Sequence, residues 1–367
     1  MSEPPPLPPE PRKGKSVAKI IAILVCVIVV GTIARGDFEQ TIKHVGKSEN
    51  GKAAVSQLAG SVPASVLPWI VRADRHESQG HLQDAISDFK EAIKLDPHNV
   101  LCWLNLGRLF DETQQYDKAV AAFSKLLEFE PSNFQARFLR ANLYRRLGAH
   151  AKAMADASEV IRLHPERSEG YSIRAMLYNL DDDYKNAMAD ADRAIQINPR
   201  DLDAYFARGL AHLRLKHYDQ AVQDLTKGLK LVPNDGTAWL NRATAFVYLR
   251  KYKEAVADLV QASKHDPKST SAFNGLAWLL ATCPDSTVRN GRKANEYISR
   301  ALELHPNQWK LWDTRAAVFA ENSDFGNAVR WEERCLERKD LSEAERHRIS
   351  ERLVLYRAGK PYREEPK

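Results

Sequence analysis

Three features are scarce in this sequence of 367 residues, and each scarcity excludes a class of protein. Only 17 glycines, beside 44% hydrophobic residues, exclude a collagen-like or wholly disordered chain. Four cysteines, none of them in a CxxC pair, exclude a disulfide framework and a zinc ribbon. The 54 Lys and Arg residues outnumber the 48 Asp and Glu residues only through the two ends of the chain, which leaves the central body nearly neutral. Because a nucleic-acid-binding surface concentrates positive charge on the folded body, we expect no nucleic acid partner.

Long apolar runs are also scarce, and the one uncharged stretch of this kind extends from residue 20 to residue 34. It follows a proline-rich segment, which predicts a disordered, basic cytoplasmic tail over residues 1–19. Residues 20–35 are predicted to be a transmembrane or signal-anchor segment, although such a helix would rise only about 22 Å. A cleaved secretory signal, with Thr32 and Ala34 before the cleavage site, is the alternative interpretation.

Both interpretations place the body of the chain on the far side of the membrane. Basic side chains are denser before the apolar run than after it, which keeps the N-terminus cytoplasmic. They are Arg12, Lys13, Lys15 and Lys19. We therefore predict a single-pass membrane protein with an extracytoplasmic body, or a secreted or periplasmic protein if the segment is cleaved. Residues 36–65, with few large apolar groups, are predicted to be a linker.

The body is periodic, because prolines recur every 34 residues and a further one follows after 39 residues. They are Pro97, Pro131, Pro165, Pro199, Pro233, Pro267 and Pro306. This period is typical of a repeated helix-turn-helix unit. When each repeat is counted so that its proline is the 32nd residue, about eight repeats occupy residues 66–338.

Three further columns of residues agree with this count. If the extra residues of the seventh repeat lie in its turn, alanine occupies the 20th place of every repeat and Gly or Ala the eighth, so the two helices of a repeat can approach closely. A large aromatic ring occupies the fourth place, with Arg137 as the exception. These columns resemble the tetratricopeptide repeat (TPR) family, and residues 277–285 with the chain end are similar to a group of bacterial TPR proteins. The resemblance implies a right-handed superhelix of helix pairs with a concave groove lined by the first helix of each pair.

The predicted fold is therefore an all-α, right-handed α-solenoid of TPR repeats with an N-terminal apolar membrane helix. Each repeat buries its apolar face on its neighbours, so the ends of such an array need caps. Ser342 and Glu345 form an S-x-x-E pattern, which predicts a capping box at the start of a last helix. Residues 339–367 are accordingly predicted to be a C-terminal capping helix and tail.

Comparison of the repeats with one another predicts an ion pair. Arg at the seventh place and Asp at the 23rd occur together in the first, third, fourth, fifth and sixth repeats, whereas the second and seventh repeats lose both. Only the eighth repeat breaks the rule, with Arg315 opposite Trp331. We predict a bidentate Arg–Asp pair that joins the two helices of one repeat.

No catalytic or metal-binding pattern stands out, because the chain lacks GxxxxGK[ST], GxGxxG after a strand and HExxH. We predict no enzyme activity, no cofactor and no metal. Cys283, in the longer turn of the seventh repeat, is the thiol of greatest interest. An alternative function is an envelope sensory or enzyme-associated protein that binds a small ligand or glycan, or that uses a redox-active Cys283 turn.

The groove positions implied by the resemblance change in character along the chain. The first four repeats offer a mixed polar surface, which includes Glu77, Arg108 and Asp111. The candidate partner-binding residues, mostly apolar, are Phe206, Leu210, Leu213, Leu240, Val247, Asn274 and Trp278. An apolar stripe suits a partner helix or an extended peptide, with packing inside the array as the alternative. We predict a membrane-tethered scaffold that binds a protein or peptide partner through this groove.

Overall fold

The structure is a computed structural model that describes residue 63 and residues 65–364. The apolar segment at residues 20–35 and most of the predicted linker lie outside the described residues. Within the described part of the chain, no helix has the length and apolar character needed to cross a membrane. All regular secondary structure in that part is α-helical, as the repeat pattern predicts.

Seventeen helices follow one another in the described residues. The first helices of the eight repeats are α1 (Leu67–Ser78), α3 (Val100–Glu112), α5 (Phe134–Arg146), α7 (Ser168–Leu180), α9 (Leu202–Arg214), α11 (Gly236–Tyr248), α13 (Thr270–Thr282) and α15 (Trp309–Glu321). The second helices are α2 (Leu82–Leu95), α4 (Tyr116–Phe129), α6 (His150–Leu163), α8 (Tyr184–Ile197), α10 (Tyr218–Leu231), α12 (Tyr252–His265), α14 (Gly291–Leu304) and α16 (Phe325–Leu336). The last helix is α17 (Glu343–Arg357).

Residues at the ends of the helices determine where the helices begin and where the chain turns. Five first helices start after a polar residue whose side chain accepts a hydrogen bond from the backbone N–H three residues later, which satisfies an orphan donor of the first turn. These residues are Asn99, Asn133, Asp201, Asp235 and Ser269. Between the two helices, the residue at the 15th place adopts a positive φ in seven repeats, from Gly80 in the first to Ser323 in the eighth. This left-handed residue turns the chain back, so that the second helix lies antiparallel to the first.

The alanine and glycine columns are buried, as predicted. Every alanine of the 20th column is fully buried, from Ala85 to Ala328. A Cβ atom at Gly107 would lie 2.4 Å from the ring of Phe123, and one at Gly209 would lie 2.9 Å from Leu225. The small residue at the eighth place is therefore required by the large apolar residue of the second helix that covers it.

The rings of the fourth column are half-buried or buried and also make a polar contact that the sequence did not suggest. The indole N–H of Trp103, Trp239 and Trp312 donates to the carbonyl of the preceding repeat's proline, at 2.8 Å in each case. Arg137, the exception in this column, donates its guanidinium N–H to the corresponding carbonyl of Pro131. Both residue types thus place an N–H donor on the turn between repeats.

The predicted Arg–Asp pairs are present in all five repeats. Each guanidinium donates two hydrogen bonds to one carboxylate, with Nε–Oδ2 distances between 2.6 and 2.9 Å. The pairs are Arg72–Asp88, Arg140–Asp156, Arg174–Asp190, Arg208–Asp224 and Arg242–Asp258. All five aspartates are buried and four of the arginines are mostly buried, so these four are not surface ion pairs, whereas the side chain of Arg72 is 52% exposed.

The remaining guanidinium N–H group reaches the preceding repeat. Arg242 donates to the hydroxyl of Thr226 at 2.9 Å, and Arg140 to that of Ser124 at 2.9 Å. Arg315 keeps only this second contact, with Asn295 at 2.8 Å and Ser299 at 3.1 Å. The arginine of the eighth repeat therefore persists without its aspartate because it still joins neighbouring repeats.

The described residues divide into two compact units, with the boundary between Asp156 and Ala157 inside α6. At the end of the second unit, α17 begins with the predicted capping box, in which Ser342 and Glu345 bond each other's backbone N–H groups. Ile349 and Tyr356 on its apolar face are buried. This helix covers the second helix of the eighth repeat.

Candidate functional site

A concave site in the second compact unit is a cavity of about 950 Å³. Its lining comes mainly from first helices α11, α13 and α15 and from α17 with the residues after it, and α12 and neighbouring turns supply the remainder. Four of the seven predicted partner-binding residues lie in its wall, namely Leu240, Val247, Asn274 and Trp278. The structure thus brings together the candidates of the sixth and seventh repeats.

The three candidates of the fifth repeat lie outside this cavity. Phe206, Leu210 and Leu213 are all partly buried along α9. The ring of Phe206 packs on Gly228 of α10, where an added Cβ atom would come within 2.2 Å of the ring. Much of the Phe206 surface is therefore used inside its own repeat.

The end of the chain returns to the cavity, which the sequence did not predict. We call Pro361–Glu364, all partly buried, the tail segment. The backbone N–H of Glu364 donates to the carbonyl of Thr282 at 2.9 Å, and the guanidinium of Arg363 donates to the carbonyl of Ala281 at 3.1 Å. Both carbonyls belong to the last turn of α13, where helical carbonyls lack intrahelical partners.

Side chains of the tail segment complete this contact. The Trp278 indole N–H donates to the carboxylate of Glu364. The ring of Tyr362 lies 6.0 Å from the Trp278 ring, centroid to centroid. Arg363 also pairs with Glu321 of α15, at 2.7 Å. One predicted groove residue, Trp278, is therefore a principal contact of the chain's own C-terminal residues.

Arg352 of α17 connects the cavity to a buried acidic pair. Its guanidinium lies over the rings of Trp278 and Tyr362, at 5.5 and 5.6 Å from their centroids. It also pairs with Asp313 at 2.7 Å and with Glu332 at 3.0 Å. Arg352 therefore positions both the aromatic wall and the acidic pair behind it.

The acidic pair holds a proton at neutral pH. Burial, and next the charge of Asp313, raise the pKa of Glu332 to about 9, while Arg352 acts in the opposite direction. Burial also raises the pKa of Asp313. Because two buried carboxylates face one guanidinium, one negative charge is neutralised by Arg352 and the other by protonation.

The sequence contains a signal for this cluster. Glu332 occupies the 24th place of its repeat, where the other repeats carry an apolar residue. Those residues are Phe89, Phe123, Ala157, Ala191, Leu225, Leu259 and Ile298. A glutamate in an otherwise apolar column indicates a buried charge that needs a partner.

The turn that contains Cys283 is firmly held. Arg289 donates to the carbonyl of Cys283 at 2.8 Å and pairs with Glu321 at 3.3 Å. Cys283 is only 1% exposed, and burial raises the pKa of its thiol. These properties disfavour the thiolate and give no support to a redox-active turn.

Two of the polar groove positions of the first compact unit pair with each other, and a third, Asp111, pairs with an arginine outside the groove positions. Arg108 contacts Glu77 at 3.3 Å, and Arg146 contacts Asp111 at 2.5 Å. Burial raises the pKa of Asp74 to about 6.

Within residues 63 and 65–364, no group of three or more His, Cys, Asp or Glu side chains is arranged to hold a metal ion.

Comparison with known proteins supports the repeat assignment. The profile of the tetratricopeptide repeat family matches residues 77–143. A second profile, described as anaphase-promoting complex, cyclosome, subunit 3, matches residues 181–262. No curated protein matches the chain significantly. These matches support the assignment of the repeats to the tetratricopeptide repeat family, whose proteins generally act as scaffolds for protein–protein interactions.

Several solved structures are similar in fold. The crystal structure of the APC/C hetero-tetramer Cut9-Hcn1 has a TM-score of 0.59 at 15% identity, covering 76% of this chain and 57% of that chain. A tetratricopeptide repeat protein from Parabacteroides merdae has a TM-score of 0.49 at 18% identity, covering 80% and 100%. YrrB, described as a TPR protein with an unusual peptide-binding site, has a TM-score of 0.38 at 20% identity, covering 50% and 95%. At these identities the likeness concerns the fold alone.

Proposed function

We propose that this protein is a non-enzymatic, membrane-tethered scaffold that binds a protein or peptide partner in the cavity of its last repeats. The observation that carries the proposal is the cavity of about 950 Å³ whose wall includes Leu240, Val247, Asn274 and Trp278. The wall combines apolar and aromatic side chains with polar and charged ones, such as Arg348 and Glu351, and this mixture suits an extended peptide, whose backbone and side chains need both kinds of contact. In the first repeats, by contrast, the polar groove residues Glu77, Arg108 and Asp111 are already engaged in ion pairs, so this part of the groove offers a partner less apolar surface.

The proposed tether is the apolar segment at residues 20–35, with the repeats on the extracytoplasmic side. The basic residues before this segment and its uncharged character support this topology. Protease treatment of intact cells tests it, because an extracytoplasmic body is digested from outside after removal of any outer barrier. Retention in the membrane pellet after alkaline extraction supports the anchor, whereas recovery of a shortened, soluble chain supports a cleaved signal.

Site-specific photo-crosslinking in intact cells tests the partner site. We place a photoreactive residue at Leu240 or Asn274, which line the cavity, and at Gln223, an exposed residue of α10, as the matched control. The proposal expects one discrete adduct from both cavity positions and none from Gln223. Equal labelling at all three positions, or no labelling at the cavity positions, contradicts it.

A further inference from the structure

The tail segment contacts the cavity as an extended peptide ligand would. Tyr362, Arg363 and Glu364 have no helical or strand structure of their own. Their contacts combine a backbone hydrogen bond to Thr282 with side-chain contacts to Trp278 and Glu321. Extended peptides are generally recognised in this way, by main-chain hydrogen bonds for affinity and side-chain contacts for specificity.

Three side chains of the tail segment, those of Tyr362, Arg363 and Glu364, each have a chemically matched partner. The ring of Tyr362 lies beside Trp278 and Arg352, the guanidinium of Arg363 pairs with the carboxylate of Glu321, and the carboxylate of Glu364 accepts from the Trp278 indole. The order is aromatic, basic, acidic. A site with an aromatic wall, an acid and an indole donor in this arrangement selects that order of residues.

The tail segment leaves open space beside it. Tyr362 and Glu364 are part of the wall of the same cavity that contains Leu240, Val247 and Asn274. A longer peptide that replaced the tail segment at Trp278 would continue along these residues. The chain's own residues therefore occupy one end of the site, while the remainder is accessible.

We propose that the Trp278 end of the cavity recognises an extended peptide with the sequence pattern Tyr-Arg-Glu, and that residues 362–364 are an internal copy of that ligand. The inference rests on the proposed function, because it names the chemistry of the partner and the competitor at the same site. A tethered ligand has an effective concentration in the millimolar range for short linkers, so it competes well with a dilute partner. The partner binds only when it displaces the tail segment.

A labelled peptide tests this inference with the full chain. The probe is a fluorescein-labelled synthetic peptide with the sequence of residues 358–367, and fluorescence anisotropy measures its dissociation constant. We compare the natural chain with a tail variant, Tyr362→Ala with Glu364→Ala, and with a control variant, Gln223→Ala. The tail variant is expected to bind the probe about tenfold more tightly than the natural chain, because its internal competitor is disabled. Gln223→Ala is expected to bind like the natural chain.

A second set of measurements tests specificity with altered peptides, so its result does not depend on whether a further protein variant folds. Alanine in place of the Tyr, the Arg or the Glu of the probe is expected to weaken binding to the tail variant at least fivefold in each case. Glu321→Gln, added to the tail variant, is expected to weaken binding of the natural probe but not binding of the probe in which Ala replaces the Arg. Equal affinity of the natural chain and the tail variant, or indifference to all three peptide changes, overturns the inference.

The two proposals can fail separately. A discrete crosslinked partner at Leu240 and Asn274, together with a probe that does not bind, supports the scaffold function and overturns the internal ligand. Probe binding that follows the Tyr-Arg-Glu pattern, together with no crosslink in cells, supports the internal ligand and contradicts the scaffold function.

Discussion

Two regions of this molecule pair buried charges in different ways. In four of the five repeat pairs one guanidinium meets one carboxylate, as in Arg242–Asp258, with both oxygens bonded at 2.7 and 2.8 Å, and only Arg208 also bonds a second, half-exposed carboxylate, that of Asp192. At the C-terminal end, the single guanidinium of Arg352 meets two carboxyl groups, those of Asp313 and Glu332. The first arrangement is neutral as it stands, whereas the second becomes neutral only by binding a proton. A second buried acid on one guanidinium therefore makes the C-terminal cluster the more sensitive to pH, although burial also raises the pKa of Asp258.

The largest effect is expected from Arg352→Met, which leaves two buried carboxyl groups without their cation. We expect the free energy of unfolding of the second compact unit to fall by about 3 to 5 kcal/mol, because an uncompensated buried charge is costly. Urea denaturation followed by circular dichroism measures the change. Arg357→Met is the matched control on the same helix, since its pair with Glu333 is largely exposed, and a loss below about 1 kcal/mol is expected there. Similar losses for both variants would show that Arg352 is not the cation of a buried cluster.

Breaking one repeat pair is expected to have the next largest effect. Arg242→Leu leaves the buried Asp258 unpaired, and a loss of about 3 kcal/mol follows from the same reasoning. In a double-mutant cycle with Asp258→Leu, the two losses should be non-additive by more than about 1 kcal/mol. The exposed Arg300–Glu303 pair is the control cycle, with an expected coupling below about 0.5 kcal/mol. Strict additivity at Arg242 and Asp258 would contradict the pairing.

The pH dependence of stability is expected to separate the two arrangements directly. In the folded chain Glu332 keeps its proton up to a pKa of about 9, whereas the ordinary value of 4.5 applies after unfolding. Its contribution is therefore complete below pH 4.5 and is lost as the pH rises through 9, by up to about 1.4 kcal/mol per pH unit. Glu332→Gln should flatten the decline in unfolding free energy between pH 5 and pH 9. A decline of the same slope in the variant would place the proton elsewhere.

The smallest effect is expected from Arg315→Leu. This arginine donates to the neutral groups of Asn295 and Ser299, so its loss leaves no buried carboxylate unpaired. A decrease of about 1 kcal/mol in the free energy of unfolding is expected, the usual net value of a hydrogen bond. Thermal and urea denaturation measure the free energy of unfolding of Arg315→Leu and of Arg242→Leu under the same conditions. A loss as large as that of Arg242→Leu would mean that the contact between repeats, rather than the pair within a repeat, dominates.

The repeat pattern was sufficient to predict the helices, the small-residue columns and the Arg–Asp pairs. Each of these features depends on residues at a fixed spacing within one repeat, and comparison of the eight repeats reveals that spacing. The groove positions that the family resemblance implies include Trp278 and Asn274, and both lie in the cavity wall. The family resemblance did not predict that Phe206 packs on Gly228. The space that the missing side chain of Gly228 leaves does not recur at the same place in the other repeats, so comparison of the repeats does not reveal it.

The sequence by itself determined the periodic part of this protein, since the period, the caps and the paired columns act over one or two helices. Tertiary structure alone decided where the last residues lie, because the bond from Glu364 to Thr282 joins residues far apart in the chain and belongs to no repeat. It also decided the state of Glu332, whose pKa depends on Asp313 and Arg352 from two other helices. A repeating sequence pattern reveals the contacts that occur in several repeats, whereas a contact that occurs at one place in the chain depends on the packing of the whole unit.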